Sequence, residues 1–148
     1  MKRGYYGVGI YNPKTTDNMG TLWRSAFLFG ASYIFTIGAR YHKQPTDTPD
    51  TMKHVPLYNY KDWEDFTKHQ PKDCEVVCVE LDEKSHSLVN YVHPERAVYV
   101  LGAEDYGIPV EYLKGNQVVQ IPTEKRWSMN VSVAGSIILY DRVAKETK

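Results

Sequence analysis

Apolar runs of strand length alternate along the chain with segments in which apolar residues recur at helical spacing. Strands are predicted at residues 5–11, 33–38, 55–60, 75–81, 97–101 and 118–121. Helices are predicted at residues 18–30, 62–69, 85–91 and 130 to about 144. Because such alternation is typical of parallel sheets covered by helices, the pattern predicts an α/β domain with a largely parallel sheet.

The first and last predicted helices differ in how far apolar residues spread around them. The first has a single apolar stripe, formed by Met19, Leu22, Trp23, Ala26 and Phe29. Arg24 lies outside this stripe. Apolar residues cover most of the last helix, namely Val131, Val133, Ala134, Ile137, Ile138 and Leu139. A helix of this kind packs against its own sheet and a second surface, which suggests a homodimer through the C-terminal helix.

Composition narrows the class of protein. The 148 residues fit one domain spanning 1–148, and the 18 Lys and Arg residues equal the 18 Asp and Glu residues. Zero net charge argues against indiscriminate coating of nucleic acid but leaves a local basic patch open. No uncharged stretch reaches the roughly 20 residues that cross a bilayer. The first residues lack an apolar signal core, so we expect a cytoplasmic protein. The five histidines show no ligand-like pairing, and no metal site is predicted.

Three separated segments combine Gly, Asn, Ser and charged residues where predicted strands end, at residues 17–26, 101–109 and 121–132. Ligands of open α/β sheets bind beyond the carboxyl ends of the strands, so this placement indicates a site. Helix capping and a tight turn would explain most of these residues locally. Arg24 is harder to explain in that way, because its guanidinium suits a phosphate through two parallel hydrogen bonds.

The segments contain Asn18-x-Gly20-x-x-x-Arg24, then Leu101-Gly102-x-Glu104-x-x-Gly107, then Ile121-Pro122 followed by Ser128-Met129-Asn130-Val131-Ser132. In this order and at these separations they resemble the three motifs of the SpoU (TrmH-like) family of RNA ribose 2′-O-methyltransferases, within the SPOUT superfamily. The resemblance covers nearly the whole chain. Any one motif alone would be weak, whereas the set is specific.

The resemblance implies a Rossmann-like, mostly parallel sheet flanked by helices, with a C-terminal deep trefoil knot. It also implies that loops of the knot bind S-adenosylmethionine through backbone groups and apolar side chains. The matching cofactor positions are Leu81, Leu101, Gly102, Glu104, Ile121, Pro122, Ser128, Met129 and Asn130. Leu81, at the end of the preceding strand, is the weakest match among them.

By the same resemblance, the active site combines Arg24 of one subunit of a homodimer with the cofactor of the other. Arg24 would hold the RNA phosphate, Asn18 and Asn130 would orient the site, and Ser128 would shape the catalytic loop. A literal arginine base is disfavoured because a free guanidinium has a pKa above about 12.

Five residues separate Pro122 from Ser128, where many SpoU proteins have six, so the rim of the cofactor pocket is expected to differ. This loop contains Lys125, Arg126 and Trp127. Trp127 could stack on a base and the two basic residues could meet phosphate, although packing explains an exposed Trp about as well.

The leading hypothesis is an S-adenosylmethionine-dependent ribose methyltransferase acting on RNA. Transfer RNA is a better expectation than ribosomal RNA, because the chain is short and shows no additional RNA-binding domain. Two alternatives stay open. One is a noncatalytic RNA-binding or assembly protein of the same fold, and the other is a SPOUT enzyme that methylates a base.

Overall fold

A computed structural model describes residues 4–14, 16–39, 41, 42, 44–103 and 107–146. These parts of the chain form seven strands and four α-helices. The strands are β1 (Tyr5–Tyr11), β2 (Tyr33–Ile37), β3 (Leu57–Tyr60), β4 (Glu75–Val79), β5 (His86–Ser87), β6 (Arg96–Gly102) and β7 (Gln117–Gln120). The helices are α1 (Thr16–Phe29), α2 (Trp63–His69), α3 (Val110–Leu113) and α4 (Val131–Glu146). Short 3₁₀ turns occur at Thr51–Lys53 and Leu88–Asn90.

All strand pairs are parallel, in the order β3-β2-β1-β6-β4-β7-β5. The order places β6, β4 and β7 side by side, so their carboxyl ends open at a common edge of the sheet. The parallel α/β fold predicted from the sequence is therefore confirmed. The deep knot stays a prediction of the family resemblance.

The two faces of the sheet carry separate cores. One core joins α1 and α4 to the sheet through residues such as Trp23, Ile138 and Val8. The other joins α2 and α3 to the opposite face through Phe66, Leu113 and their neighbours. Burial of apolar side chains on both faces is what makes the central strands almost uniformly apolar.

Helices α1 and α4 approach closely at Gly135. A Cβ atom there would lie only 2.3 Å from Leu22 Cδ1, so a side chain would push the helices apart. Beside this contact the hydroxyl groups of Ser25 and Ser136 are 2.6 Å apart. This close packing fixes the start of α4 relative to the motif carried by α1.

The sequence was wrong about residues 85–91, which were predicted to be a helix. They form β5 and a 3₁₀ turn instead, because His86 and Ser87 pair with β7 and the Ser87 hydroxyl accepts a bond from the Val89 N–H. Helix α3 was not predicted, since a four-residue helix is too short to show periodicity. Cys74 and Cys78 are free and buried, as expected of small core residues.

Candidate functional site

A cleft of about 270 Å³ opens where β4, β6 and β7 end. Its lining is mainly apolar side chains and backbone. It is formed by Val79, Glu80, Leu81, Leu101, Gly102, Ala103, Gly107, Gln120, Ile121, Thr123, Trp127, Ser128, Met129, Val131 and Ala134. The cleft therefore brings the second and third motifs together with the residues that follow β4.

The second motif forms one wall because its backbone folds back on itself. Ala103 and Gly107 make an isolated antiparallel bridge, with the Gly107 N–H donating to the Ala103 carbonyl over 2.9 Å. A Cβ on Gly102 would lie 2.7 Å from Gly107 Cα, and Gly107 itself has a φ of 60°. Both positions thus require glycine. Glu104 lies outside the described residues.

Glu80 is a residue of the cleft that the sequence analysis missed. Its Oε2 accepts a hydrogen bond from the Ile108 N–H over 2.9 Å, and its Oε1 accepts one from the Leu81 N–H over 3.3 Å. The carboxylate thereby ties the end of β4 to the loop of the second motif. The available signal was its position directly after an apolar strand of a parallel sheet.

Cys78 is unsuited to nucleophilic chemistry. It lies in β4, two residues before Glu80. Burial, assisted by the nearby Glu80 charge, raises the pKa of its thiol to about 12. The reactive thiolate is therefore scarce at neutral pH.

The third motif lies along the opposite wall as an extended segment that ends at α4. Ser128 is exposed and Met129 is half-buried, and both line the cleft. Trp127 also lines it, with 82% of the residue exposed. Pro122, Lys125 and Arg126 are exposed and lie outside the lining.

Asn130 joins the first motif to the third. Its Nδ2 donates to Asn18 Oδ1 over 3.1 Å, across 112 positions of sequence. Its Oδ1 accepts from the backbone N–H groups of Ser132 and Val133 over 2.9 and 3.2 Å, and so caps α4. One side chain thus starts the last helix and contacts the first. Neither asparagine is among the residues that line the cleft.

Arg24 is exposed on α1 and is absent from the lining of the cleft in its own chain. Gly20, one turn earlier, allows the loop of residues 44–47 to pack on α1, since a Cβ there would lie 2.2 Å from Thr46 Oγ1. Gly20 therefore provides the space for this loop on α1.

The apolar side chains and glycine backbone that line the cleft fit S-adenosylmethionine. Leu101, Ile121 and Met129 offer apolar surface for a purine ring. Gly102 and Gly107 keep backbone exposed where side chains would fill the space. A Cβ on Gly107 would lie 2.4 Å from Glu80 Oε2, so this wall has no room for larger residues.

The sequence model of the SpoU rRNA Methylase family matches residues 6–140, which is most of the chain. The chain belongs to this family. Members of the SpoU family are RNA methyltransferases that use S-adenosylmethionine. A comparison with curated proteins finds no match.

Solved structures of similar fold include proteins that act on both main classes of RNA. An AdoMet-bound rRNA methyltransferase from Sinorhizobium meliloti is 24% identical, with a TM-score of 0.82 over 97% of this chain. The A. aeolicus TrmH/SpoU tRNA modifying enzyme is 22% identical, with a TM-score of 0.84 over 99% of this chain and 77% of its own. The present chain spans only 57% of the Sinorhizobium protein.

A third structure concerns the 2-OH methylation of C/U34 on tRNA. Its protein is 21% identical and gives a TM-score of 0.83, with 98% of this chain and 92% of that chain covered. At these identities the three structures show a shared fold.

Within the described residues, no helix is long and apolar enough to cross a membrane. The same part of the chain contains no group of three or more His, Cys, Asp or Glu side chains arranged to hold a metal ion.

Proposed function

We propose that this protein transfers a methyl group from S-adenosylmethionine to a ribose 2′-hydroxyl of RNA, and that the RNA is a tRNA. The observation that carries the proposal is the hydrogen bond between Asn130 and Asn18. It holds the first motif against the segment that lines the cleft, so that the three SpoU motifs lie next to one another in the fold.

The cofactor would be held by the backbone and apolar side chains of the cleft. Leu81, Leu101, Gly102, Ile121, Ser128 and Met129 line it directly. Pro122 and Asn130 would act by shaping the segment that carries Ser128 and Met129, and Glu104 would belong to the loop of the second motif. When bound, S-adenosylmethionine supplies a methyl group on a positively charged sulfur, which is an activated donor.

The protein's part in the reaction is then alignment and help with removal of the hydroxyl proton. Arg24 would clamp the RNA phosphate and stabilise negative charge on the hydroxyl oxygen as its proton leaves. Asn18 and Asn130 would hold the start of α4, and Ser128 would shape the loop beside the target ribose. Arg24 is not proposed as the base that takes the hydroxyl proton, because its guanidinium stays protonated.

A homodimer would complete the site. Arg24 is exposed and lies outside its own cleft, so it is available to the cleft of a second copy. An apolar groove between α1 and α4 supports the same arrangement, with Val133 49% and Tyr140 61% exposed beside Phe29 and Ile137. Exposed apolar surface of this kind is typical of an interface.

RNA would also contact the loop before α4. Lys125 and Arg126 are exposed and could meet phosphates, while Trp127 stands at the cleft, where its ring could stack on a base. The choice of tRNA is supported by the match over most of both chains with the protein of the tRNA 2-OH methylation structure.

The test is transfer of labelled methyl from S-adenosylmethionine to total tRNA and to rRNA, both from a strain that lacks the gene. We expect label on tRNA that resists alkaline cleavage next to the modified nucleotide. Nuclease digestion and mass spectrometry then separate a ribose methyl from a base methyl. Light scattering on the same preparation should give the mass of a dimer.

Arg24→Ala should lower transfer by at least about 100-fold, on the scale of removing a transition-state hydrogen-bond donor. Arg96→Ala is the matched control, because Arg96 is exposed at the opposite end of β6 and should keep wild-type transfer. Label on rRNA alone would overturn the choice of substrate. Cofactor binding without transfer to either RNA would favour the noncatalytic alternative, and Arg24→Ala with full activity would remove Arg24 from the mechanism.

A further inference from the structure

The described part of the cleft lining contains one charged side chain, Glu80. Both of its carboxylate oxygens are anchored, one by the Ile108 N–H and the other by the Leu81 N–H. The carboxylate is only partly exposed, so water screens its charge less than that of a surface residue. Among the described residues of the lining, this carboxylate is therefore an anchored negative charge between apolar and uncharged polar side chains.

The substrate and product forms of the cofactor differ in charge. S-adenosylmethionine has a sulfonium, an ammonium and a carboxylate, and therefore one net positive charge. Methyl donation breaks the sulfur–methyl bond, leaves its electron pair on sulfur and joins the methyl to the ribose oxygen as that oxygen loses its proton. The product, S-adenosylhomocysteine, is consequently a neutral thioether.

We propose that Glu80 makes the cleft selective for the positively charged methyl donor over its neutral demethylated product. This inference rests on the proposed function and deepens it, because it assigns the cleft a means of exchanging spent cofactor for fresh. Opposite charges in a partly buried site attract over several ångströms, and the product, which keeps the amino acid ammonium and carboxylate, lacks only the attraction between the carboxylate of Glu80 and the sulfonium. The selectivity therefore comes from charge, with shape held constant.

Two simpler roles for Glu80 make a different prediction. If the carboxylate only anchored the loop at Ile108, or only accepted a hydrogen bond from a ligand hydroxyl, its removal would weaken both forms of the cofactor equally. The ratio of the two dissociation constants therefore separates charge selectivity from either role.

The experiment is calorimetric titration of the full chain with three ligands. Two of them are S-adenosylmethionine and S-adenosylhomocysteine. The third is an analogue in which a carbon that carries a protonated amino group replaces the methylated sulfur. The analogue has the donor's charge and no transferable methyl. For Glu80→Gln we expect affinity for both charged ligands to fall about five- to tenfold, with less than a twofold change for the neutral one.

Two variants support the comparison. Glu80→Asp keeps the charge and should retain most of the wild-type preference for the charged ligands. Glu83→Gln removes the same charge from an exposed residue of the same loop that lies outside the lining, and should leave all three affinities unchanged. If Glu80→Gln does not fold, judged by thermal unfolding, Glu80→Asp carries the test, and loss of the preference in that variant counts against the proposal.

An equal loss of affinity for all three ligands, or no loss for any, would overturn the inference while leaving the proposed function intact. Failure of the wild-type protein to bind any of them would instead overturn the cofactor assignment, and the selectivity with it.

Discussion

The two ends of α4 are held in different ways, because its N-terminal end starts at an exposed capping residue beside the cleft, whereas its C-terminal half is anchored through a buried arginine. At the first end, the exposed Asn130 caps α4 and donates a hydrogen bond to Asn18 of α1. At the other, Arg142 is fully buried and donates to the carbonyls of Pro94 and Glu95 and to the Tyr99 hydroxyl, over 2.7 to 3.0 Å. One end of α4 thus lies beside the cleft, and the other end stabilises the fold.

A second cation, Lys145, also anchors the C-terminal half of α4. Lys145 donates to the carbonyls of Leu88 and Tyr91 over 2.6 and 2.8 Å and pairs with Asp141 over 2.8 Å. These bonds attach α4 to the irregular segment that was mistaken for a helix. Because that segment has little regular structure of its own, Lys145 supplies a donor to backbone carbonyls that strand or helix pairing would otherwise satisfy.

Replacement of Arg142 by Met should have the largest effect on stability. It removes a buried charge together with its hydrogen bonds to the Pro94 and Glu95 carbonyls and the Tyr99 hydroxyl, and should lower the free energy of unfolding by about 3 to 5 kcal/mol. Urea unfolding measures this loss. Arg96→Met is the matched control, since both guanidinium groups lie 4.7 Å above a tyrosine ring but Arg96 is exposed and pairs with an exposed Asp73. Its cost should stay below about 1 kcal/mol.

Substitution of Asn130 should show the opposite balance, a modest loss of stability and a larger loss of function. Asn130→Ala removes a helix cap and should cost about 1 kcal/mol. Asn130→Asp keeps the capping oxygens but removes the donor to Asn18, so stability should be largely retained. We expect both variants to lower methyl transfer by at least about tenfold, on the scale of a misplaced site. Near wild-type transfer by the Asp variant would show that the contact with Asn18 is dispensable.

His93 should give the smallest effect, as a dependence of stability on pH. Its ring lies between Tyr99 and Asp141, at 2.7 Å from each, with Arg142 and Lys145 nearby and the Tyr91 ring edge-on. Burial lowers the pKa of His93 below its ordinary 6.5, against the opposing effect of Asp141.

The unfolded chain therefore takes up the His93 proton more readily than the folded protein. The stability associated with neutral His93 is complete above about pH 6.5 and is lost as pH falls below that value. Unfolding free energies of the wild type and of His93→Gln, measured between about pH 8 and about pH 5.5, should diverge in this sense. Parallel curves would assign the acid sensitivity to other groups.

The contrast between the two ends of α4 also explains which features could be predicted from the sequence. The third motif leads into the start of α4, so the resemblance to the SpoU motifs predicted Ser128 and Met129, which line the cleft, and Asn130, which caps the helix. The C-terminal half of α4 has no motif, because Arg142 and Lys145 act through backbone carbonyls of a distant segment. Every residue has a backbone carbonyl, so a pattern of residue types does not show which carbonyl a side chain will bind.

Glu80 was missed for a similar reason. Its role depends on the folding back of the 102–108 loop, which brings the Ile108 N–H within 2.9 Å of the carboxylate. The two-residue β5 was missed because pairing with β7, and not local preference, makes it a strand. By contrast, the long strands and α1 follow from apolar periodicity and were predicted to within a few residues.

The exposure of Trp127 gives the protein a built-in optical probe of its cleft. Trp23 is fully buried and Trp63 is only 8% exposed, whereas Trp127 is 82% exposed at the cleft. A small quencher such as acrylamide should therefore reach one indole far more readily than the other two. A ligand that covers Trp127 would shield that emission, so fluorescence can follow the filling of the site without any attached label.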